Sequence, residues 1–185
     1  MKLYAVCRIA NGQMGAQQDF SEMFLFANII ANVPLGVVAE IGLRSGGMFY
    51  LLSWLSENTA NLISIDDKQE VNPEARRTQL DQCIVGIKGD SHKQETIEKL
   101  ITSLGGRMLD LLFIDGDHEY EGVKADYNNY SNLVAKGGLI VFHDIYNEKC
   151  DVPKFWNEVK QGKIIVEIYN PHSSNHMGIG IIFTD

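Results

Sequence analysis

Two short stretches of this 185-residue chain carry residues able to do chemistry together. Asp115-Gly116-Asp117-His118 follows the apolar run Leu109–Ile114, and His143-Asp144 follows Leu139–Phe142. Nearly continuous apolar runs of this kind suit strands covered on both faces. If those strands are neighbours, the carboxylates of Asp115 and Asp144 converge at their tips. Two carboxylates with open positions suit Mg2+, which takes oxygen ligands and keeps waters for a substrate to displace.

Acidic residues end other apolar runs as well. Val37–Ile41 carries Glu40 and leads into Gly42, Leu62–Ile65 leads into Asp66-Asp67, and Ile84–Ile87 leads into Gly89-Asp90-Ser91. In open α/β sheets ligands sit outside the carboxyl ends of the strands, so this series marks one binding edge. Gly42, Gly46 and Gly47 have GxxxGG spacing. A dinucleotide fingerprint needs GxGxxG, and position 44 is Arg; a phosphate-cradling P-loop needs Gly-Lys-Ser/Thr, which is absent. A loop without a phosphate cradle, preceded by Glu40, suits a ligand with a cationic or amino end. A carboxylate at position 66 can accept both hydroxyl protons of a ribose. A positively charged nucleoside without phosphates meets these conditions, and S-adenosylmethionine is one. The plainer reading is that Gly42 and Gly46 only make a tight turn between strand and helix.

These residues need a scaffold that brings strand ends together. Strand-like runs alternate with amphipathic stretches, which predicts a doubly wound α/β sheet, Rossmann-like, within a single domain over residues 1–185. A helix is predicted over Phe20–Ala31, with Asp19 and Glu22 at capping-box spacing and Pro34 beyond its end. Val123, Tyr127, Tyr130 and Val134 fall on one helical face, and Gly137-Gly138 is read as its stop. Ile164–Tyr169 and Ile179–Thr184 are β-like with no helix between them, so the last strand is predicted antiparallel.

Composition narrows the partners. The net charge is −8, which argues against a nucleic-acid surface, since that needs clustered Lys and Arg. No apolar run is long enough for a membrane span. The start, MKLYAVCRIA, has a short apolar run interrupted by Arg8 and no cleavage site, so it is not read as a signal peptide. Cys7, Cys83 and Cys150 are odd in number and widely spaced, which fits a reduced, cytoplasmic protein without disulfides. Residues 1–14 have no legible role; they are a candidate contact for a homodimer.

The chain resembles class I S-adenosylmethionine-dependent methyltransferases, and among them a small family with an EIG-xx-GG loop and a D-G-D-H-x-Y-x-x-V-x-x-D motif. The matching residues run from Val38 to Gly47, from Ile114 to Asp126, from Lys136 to Asp144, from Asp151 to Trp156 and from Gly178 to Ile181. The resemblance implies a seven-stranded sheet with its last strand antiparallel. It implies that Glu40 and Gly42 lie near the methionine end of the cofactor, Asp66 on the ribose, and Asp90 and Ser91 near the adenine, with Gly46 also in the cofactor-binding loop. It also puts a glutamine before the first helix close to the cofactor, here Gln18 rather than Gln17.

Related catechol and sugar O-methyltransferases imply a divalent metal, Mg2+ or Mn2+, at Asp115, His143 and Asp144. Those relatives carry an acid or amide pair at the last two places. His143 departs from that pattern and shifts preference towards softer ions. The same relatives imply a general base at His118, three residues after Asp115. An imidazole with an ordinary pKa near ~6.5 suits removal of a hydroxyl proton. The reading is therefore O-methylation of a small hydroxylated acceptor such as a sugar, with Asp115 and His118 catalytic. The alternatives are a catalytically silent binding domain and a nicotinamide-dependent oxidoreductase, the latter disfavoured by the missing GxGxxG.

Overall fold

The computed structural model describes residues 3–173 and 176–185. Seven strands form one sheet: β1 Val37–Ile41, β2 Asn61–Asp66, β3 Cys83–Lys88, β4 Leu109–Ile114, β5 Val134–His143, β6 Ile164–Ile168 and β7 Ile179–Phe183. Their order is β3-β2-β1-β4-β5-β7-β6. The first five pair in parallel, while β7 is antiparallel to both β5 and β6. The expected antiparallel last strand is therefore present. Ser174 and Asn175 of the hairpin loop, and Met1 and Lys2 of the N-terminal segment, lie outside the described residues.

The strand sequences explain why both faces are covered. Alternate residues of each strand point to opposite faces. Val38, Leu62, Leu111, Phe113, Val141 and Ile181 share one core with helices α1 Leu3–Gly12, α2 Phe20–Ile30 and α3 Gly47–Leu55. Ala39, Ile63, Leu112, Ile114, Ile140 and Ile182 share the other with α4 Gln94–Leu104, α5 Tyr120–Tyr130 and α6 Val152–Val159. β1 is buried along its whole length, as the central position of a doubly covered sheet demands. The first dozen residues, silent in sequence, supply α1. Its Val6, Cys7 and Ala10 are fully buried, and Tyr4 meets Phe20 and Phe24 edge-on at 5.4 and 5.8 Å.

Two local expectations are corrected. The helix read through Val134 ends at Tyr130; a short 3₁₀ turn covers Ser131–Leu133 and Val134 already pairs with Leu109 in the sheet. Gly137, at φ +77, sits inside the irregular start of β5, where the register with β4 shifts, and so stops no helix. The capping pair also divides. Asp19 does cap α2, its Oδ1 accepting the amides of Ser21 and Glu22 at 2.9 and 3.3 Å. Glu22, in contrast, is fully buried and reaches across to the β6–β7 connection, where it accepts the Asn170 and Gly178 amides, both at 2.9 Å.

That connection carries Met177, which lines the cleft described below. Removing a buried acceptor strands two amides. Glu22→Ala is therefore expected to cost about 3 kcal/mol. A urea titration read by circular dichroism checks this, and an unchanged midpoint would contradict it.

Candidate functional site

The carboxyl ends of β1 to β5 open into a cleft of about 790 Å³. Every residue singled out in sequence lines it: Gln18, Glu40, Gly42, Gly46, Asp66, Asp90, Ser91, Asp115, His118, His143 and Asp144. The volume lies in the upper range for small-molecule and cofactor sites, enough for a nucleoside-sized ligand.

The β1–α3 turn forms the floor. Gly42 has φ +92, and a Cβ there would lie 2.0 Å from the Asp115 carbonyl oxygen. So the group that presses on Gly42 is the tip of β4, held there by the Asp115 amide donating to the Ile41 carbonyl at 2.9 Å. Gly46, at φ +74, is the left-handed N-cap of α3. Arg76, from the 3₁₀ turn Pro73–Arg76, crosses it and donates to the Ser45 carbonyl from Nε and Nη2 at 3.1 and 2.8 Å. Arg44 also pairs through its side chain with Gln17. Sequence reasoning missed Arg76, because nothing in its spacing ties it to the glycines.

Asp66 organises the second strand end. Its Oδ2 accepts the Arg44 amide at 2.8 Å, and its Oδ1 accepts the Lys68 and Gln69 amides at 2.9 and 2.6 Å. A carboxylate accepts about four hydrogen bonds, so Oδ2 keeps capacity for a ligand hydroxyl. Further along, Asp90 accepts the His92 amide at 2.8 Å, and the Ser91 carbonyl accepts the Tyr130 hydroxyl at 2.7 Å. His92 stands between two acids, 3.7 Å from Asp90 and 3.3 Å from Asp126. Asp126 is fully buried, and burial above all lifts its carboxyl to about 6.

At the other end the charged groups crowd. Gln18 Nε2 donates to Asp115 Oδ2 at 2.9 Å, and His143 Nδ1 lies 3.0 Å from Asp115 Oδ1 and 3.6 Å from Asp144 Oδ2. His118 bridges the same two acids, with Nε2 3.4 Å from Asp115 and Nδ1 3.3 Å from Asp144. Gln18 rather than Gln17 is thus the glutamine beside these acids. Burial pushes the Asp115 carboxyl upward, but the positive charge and hydrogen bonding of His143 and His118 outweigh it and hold the group at about 2. Burial likewise works against a charged His143, yet Asp115 and Asp144 lift it to about 9. The contact with Asp115 raises His118 against a smaller opposing effect of burial.

Glu40 lies beyond this cluster, 1% exposed, with Oε2 lacking a hydrogen-bond partner among the described residues. Burial and then the charges of Asp115 and Asp66 raise its carboxyl well above the ordinary range. Asp144 Oδ1 and His143 Nε2 are also buried without partners among those residues. Donor atoms of Asp115, His143 and Asp144 lie within 4.8 Å of one another, and so do those of His118, Asp144 and Cys150. Cys150 was not foreseen, since no motif links it to the acids.

The methyltransferase-domain family matches residues 39–145, from β1 through the tip of β5, and the chain belongs to that family. Uncharacterized protein R132 of Acanthamoeba polyphaga mimivirus is 33% identical over 150 residues, which is 75% of this chain and 65% of that protein's length. The O-methyltransferase TomG of Streptomyces achromogenes, involved in tomaymycin synthesis and solved with S-adenosylmethionine, superposes with a TM-score of 0.69 at 12% identity, covering 100% of this chain and 91% of its own. An O-methyltransferase of Bacillus cereus, solved with S-adenosylhomocysteine, gives 0.68 at 14% identity over 98% and 90% of the two chains. The fold is that of the class I S-adenosylmethionine-dependent methyltransferases. Among the described residues no helix is long and apolar enough to cross a membrane.

Proposed function

We propose that this chain transfers a methyl group from S-adenosylmethionine to a hydroxyl of a small acceptor, a sugar being the class in view. The observation that carries the reading is the polarity of the cleft. Asp66, Asp90 and Ser91 line one end of it, while Asp115, His118, His143 and Asp144 gather at the other. The names of the structural neighbours, O-methyltransferases in complex with S-adenosylmethionine or its product, support it.

When bound, S-adenosylmethionine supplies an electrophilic methyl on a sulfonium. The residues present suit such a ligand. Glu40 has a buried oxygen without a partner, and an ammonium or sulfonium would offset the charge that burial disfavours there. Asp66 would hold the ribose hydroxyls through the free capacity of Oδ2, and Asp90 with Ser91 would border the adenine. Gln18 steadies Asp115 by its 2.9 Å hydrogen bond.

His118 is proposed as the general base. It is partly exposed to the cleft, with a side-chain exposure of 43%, and contacts with Asp115 and Asp144 orient its ring. It would take the hydroxyl proton as the acceptor oxygen attacks, and alignment of that oxygen with the methyl supplies a further part of the rate. Asp115, His143 and Asp144 would hold a divalent cation such as Mg2+ or Mn2+, which lowers a bound hydroxyl's pKa when present. The close donors and the unpartnered Asp144 Oδ1 fit such an ion. To serve as a ligand through Nδ1, 3.0 and 3.6 Å from the two carboxylates, His143 would have to be neutral there.

The test is calorimetry with S-adenosylhomocysteine. We expect micromolar binding that Asp66→Ala weakens about tenfold or more, the loss of one charge-assisted hydrogen-bonded pair. No binding to the wild-type chain would withdraw the reading in favour of a tight turn in a binding domain.

A further inference from the structure

His118, Asp144 and Cys150 mix an imidazole, a carboxylate and a thiol within 4.8 Å of one another. We infer that they form a site for a thiophilic divalent cation of the Zn2+ class, which shares Asp144 with the set of Asp115 and His143 beside it but adds a thiol. Oxygen-preferring Mg2+ makes no use of sulfur, whereas Zn2+ takes thiolate, imidazole and carboxylate together.

Three features carry the inference. Two donors ligating one zinc ion tetrahedrally stand about 3.5 Å apart, given bond lengths of about 2.0–2.3 Å, so a small inward movement closes this set. His118 Nδ1 already stands 3.3 Å from Asp144 Oδ2. Asp144 has a side chain only 5% exposed, and its Oδ1 lacks a partner among the described residues. The backbone also ties the segments together: the Asp151 amide donates to the His118 carbonyl at 3.0 Å, which holds Cys150 beside the loop of His118.

Cys150 Sγ makes a weak contact of 3.4 Å with the Asn147 carbonyl and a backbone hydrogen bond with Val152. An ordinary thiol, with a pKa of about 8.5, is mostly protonated at neutral pH. Binding exchanges its S–H bond for an S–metal bond and releases the proton to solvent. The ion would also take a lone pair of His118. On the methyl-transfer reading, on which this consequence alone rests, that withdraws the general base, so the site would act as a zinc-dependent brake.

Co2+ serves as the spectroscopic probe for the test. Wild-type chain titrated with Co2+ is expected to develop a near-ultraviolet sulfur-to-cobalt absorption that saturates at one equivalent and is displaced by Zn2+. Cys150→Ser, a replacement of nearly equal shape, is expected to lose the band and bind Zn2+ at least about 100-fold more weakly. Cys83→Ser, which alters the exposed thiol, is expected to keep both. No band in the wild type, or a band that survives in Cys150→Ser, overturns the site. These readouts involve neither cofactor nor acceptor. A missing band therefore leaves the methyl-transfer reading standing, and failure to bind S-adenosylhomocysteine leaves the metal site standing.

Discussion

His118→Ala is expected to lower turnover by about 10²–10⁴-fold, the usual contribution of a positioned general base. Affinity for S-adenosylhomocysteine should stay unchanged, because the ring faces Asp115 and Asp144 at the far end of the cleft from Asp66 and Asp90. The pH profile supplies a second readout. A base must be neutral to accept a proton, so activity falls as pH drops through the His118 pKa. Contact with Asp115 raises that pKa above 6.5, which puts the acid limb of the profile above the position of an ordinary imidazole. The measurement is initial rates against pH, with the best acceptor from a panel of sugars and catechols. Wild-type rates in His118→Ala would remove the residue from the mechanism.

Gly42→Ala is the substitution with the largest expected effect on the fold. The site demands φ +92, and the new methyl would sit 2.0 Å from the Asp115 carbonyl oxygen. Backbone strain and overpacking each cost about 1–3 kcal/mol, so a total of about 4 kcal/mol is expected. Neither strand can retreat, since β1 and β4 are paired from Val38 to Ile41 and both are buried. Gly12→Ala is the control: nothing lies within 4 Å of a Cβ there, and the change is expected to be near neutral. Thermal unfolding followed by calorimetry compares the two. A drop of roughly 10 °C for Gly42→Ala against almost none for Gly12→Ala is the expected result, and equal values would refute the steric argument.

The strand ends were legible because a buried parallel strand writes itself as a nearly continuous apolar run. Where the run stops, the next polar residue is already at the edge of the sheet. That is why Asp66, Asp115 and Asp144 could be placed on one cleft before any fold was known, with Glu40 inside the β1 run and Asp90 shortly after the β3 run. The reading failed where one residue satisfies two patterns. Val134 continues the helical spacing of Val123, Tyr127 and Tyr130, but pairing with Leu109 in the sheet claims it. Glu22 stands at capping-box spacing from Asp19, yet two amides 148 and 156 residues away in sequence engage its carboxylate.

Long-range partnership of that kind leaves no local trace. It also hid Arg76 behind Ser45 and Cys150 beside His118. The glycines show a subtler version. What lies against the Gly42 backbone is the β4 carbonyl, which no pattern inside the turn could reveal.

The sheet order has a consequence for how the protein is made. β7 occupies the slot between β5 and β6, although it follows both in the chain. During synthesis the edge of β5 therefore stays bare from the time Val134–His143 leaves the ribosome until Ile179–Phe183 arrives. An exposed apolar edge strand is a template for wrong pairing. Over the same interval Glu22 lacks the Asn170 and Gly178 amides that its buried carboxylate needs. The glycine turn at the cleft floor is thus made long before the connection that carries Met177.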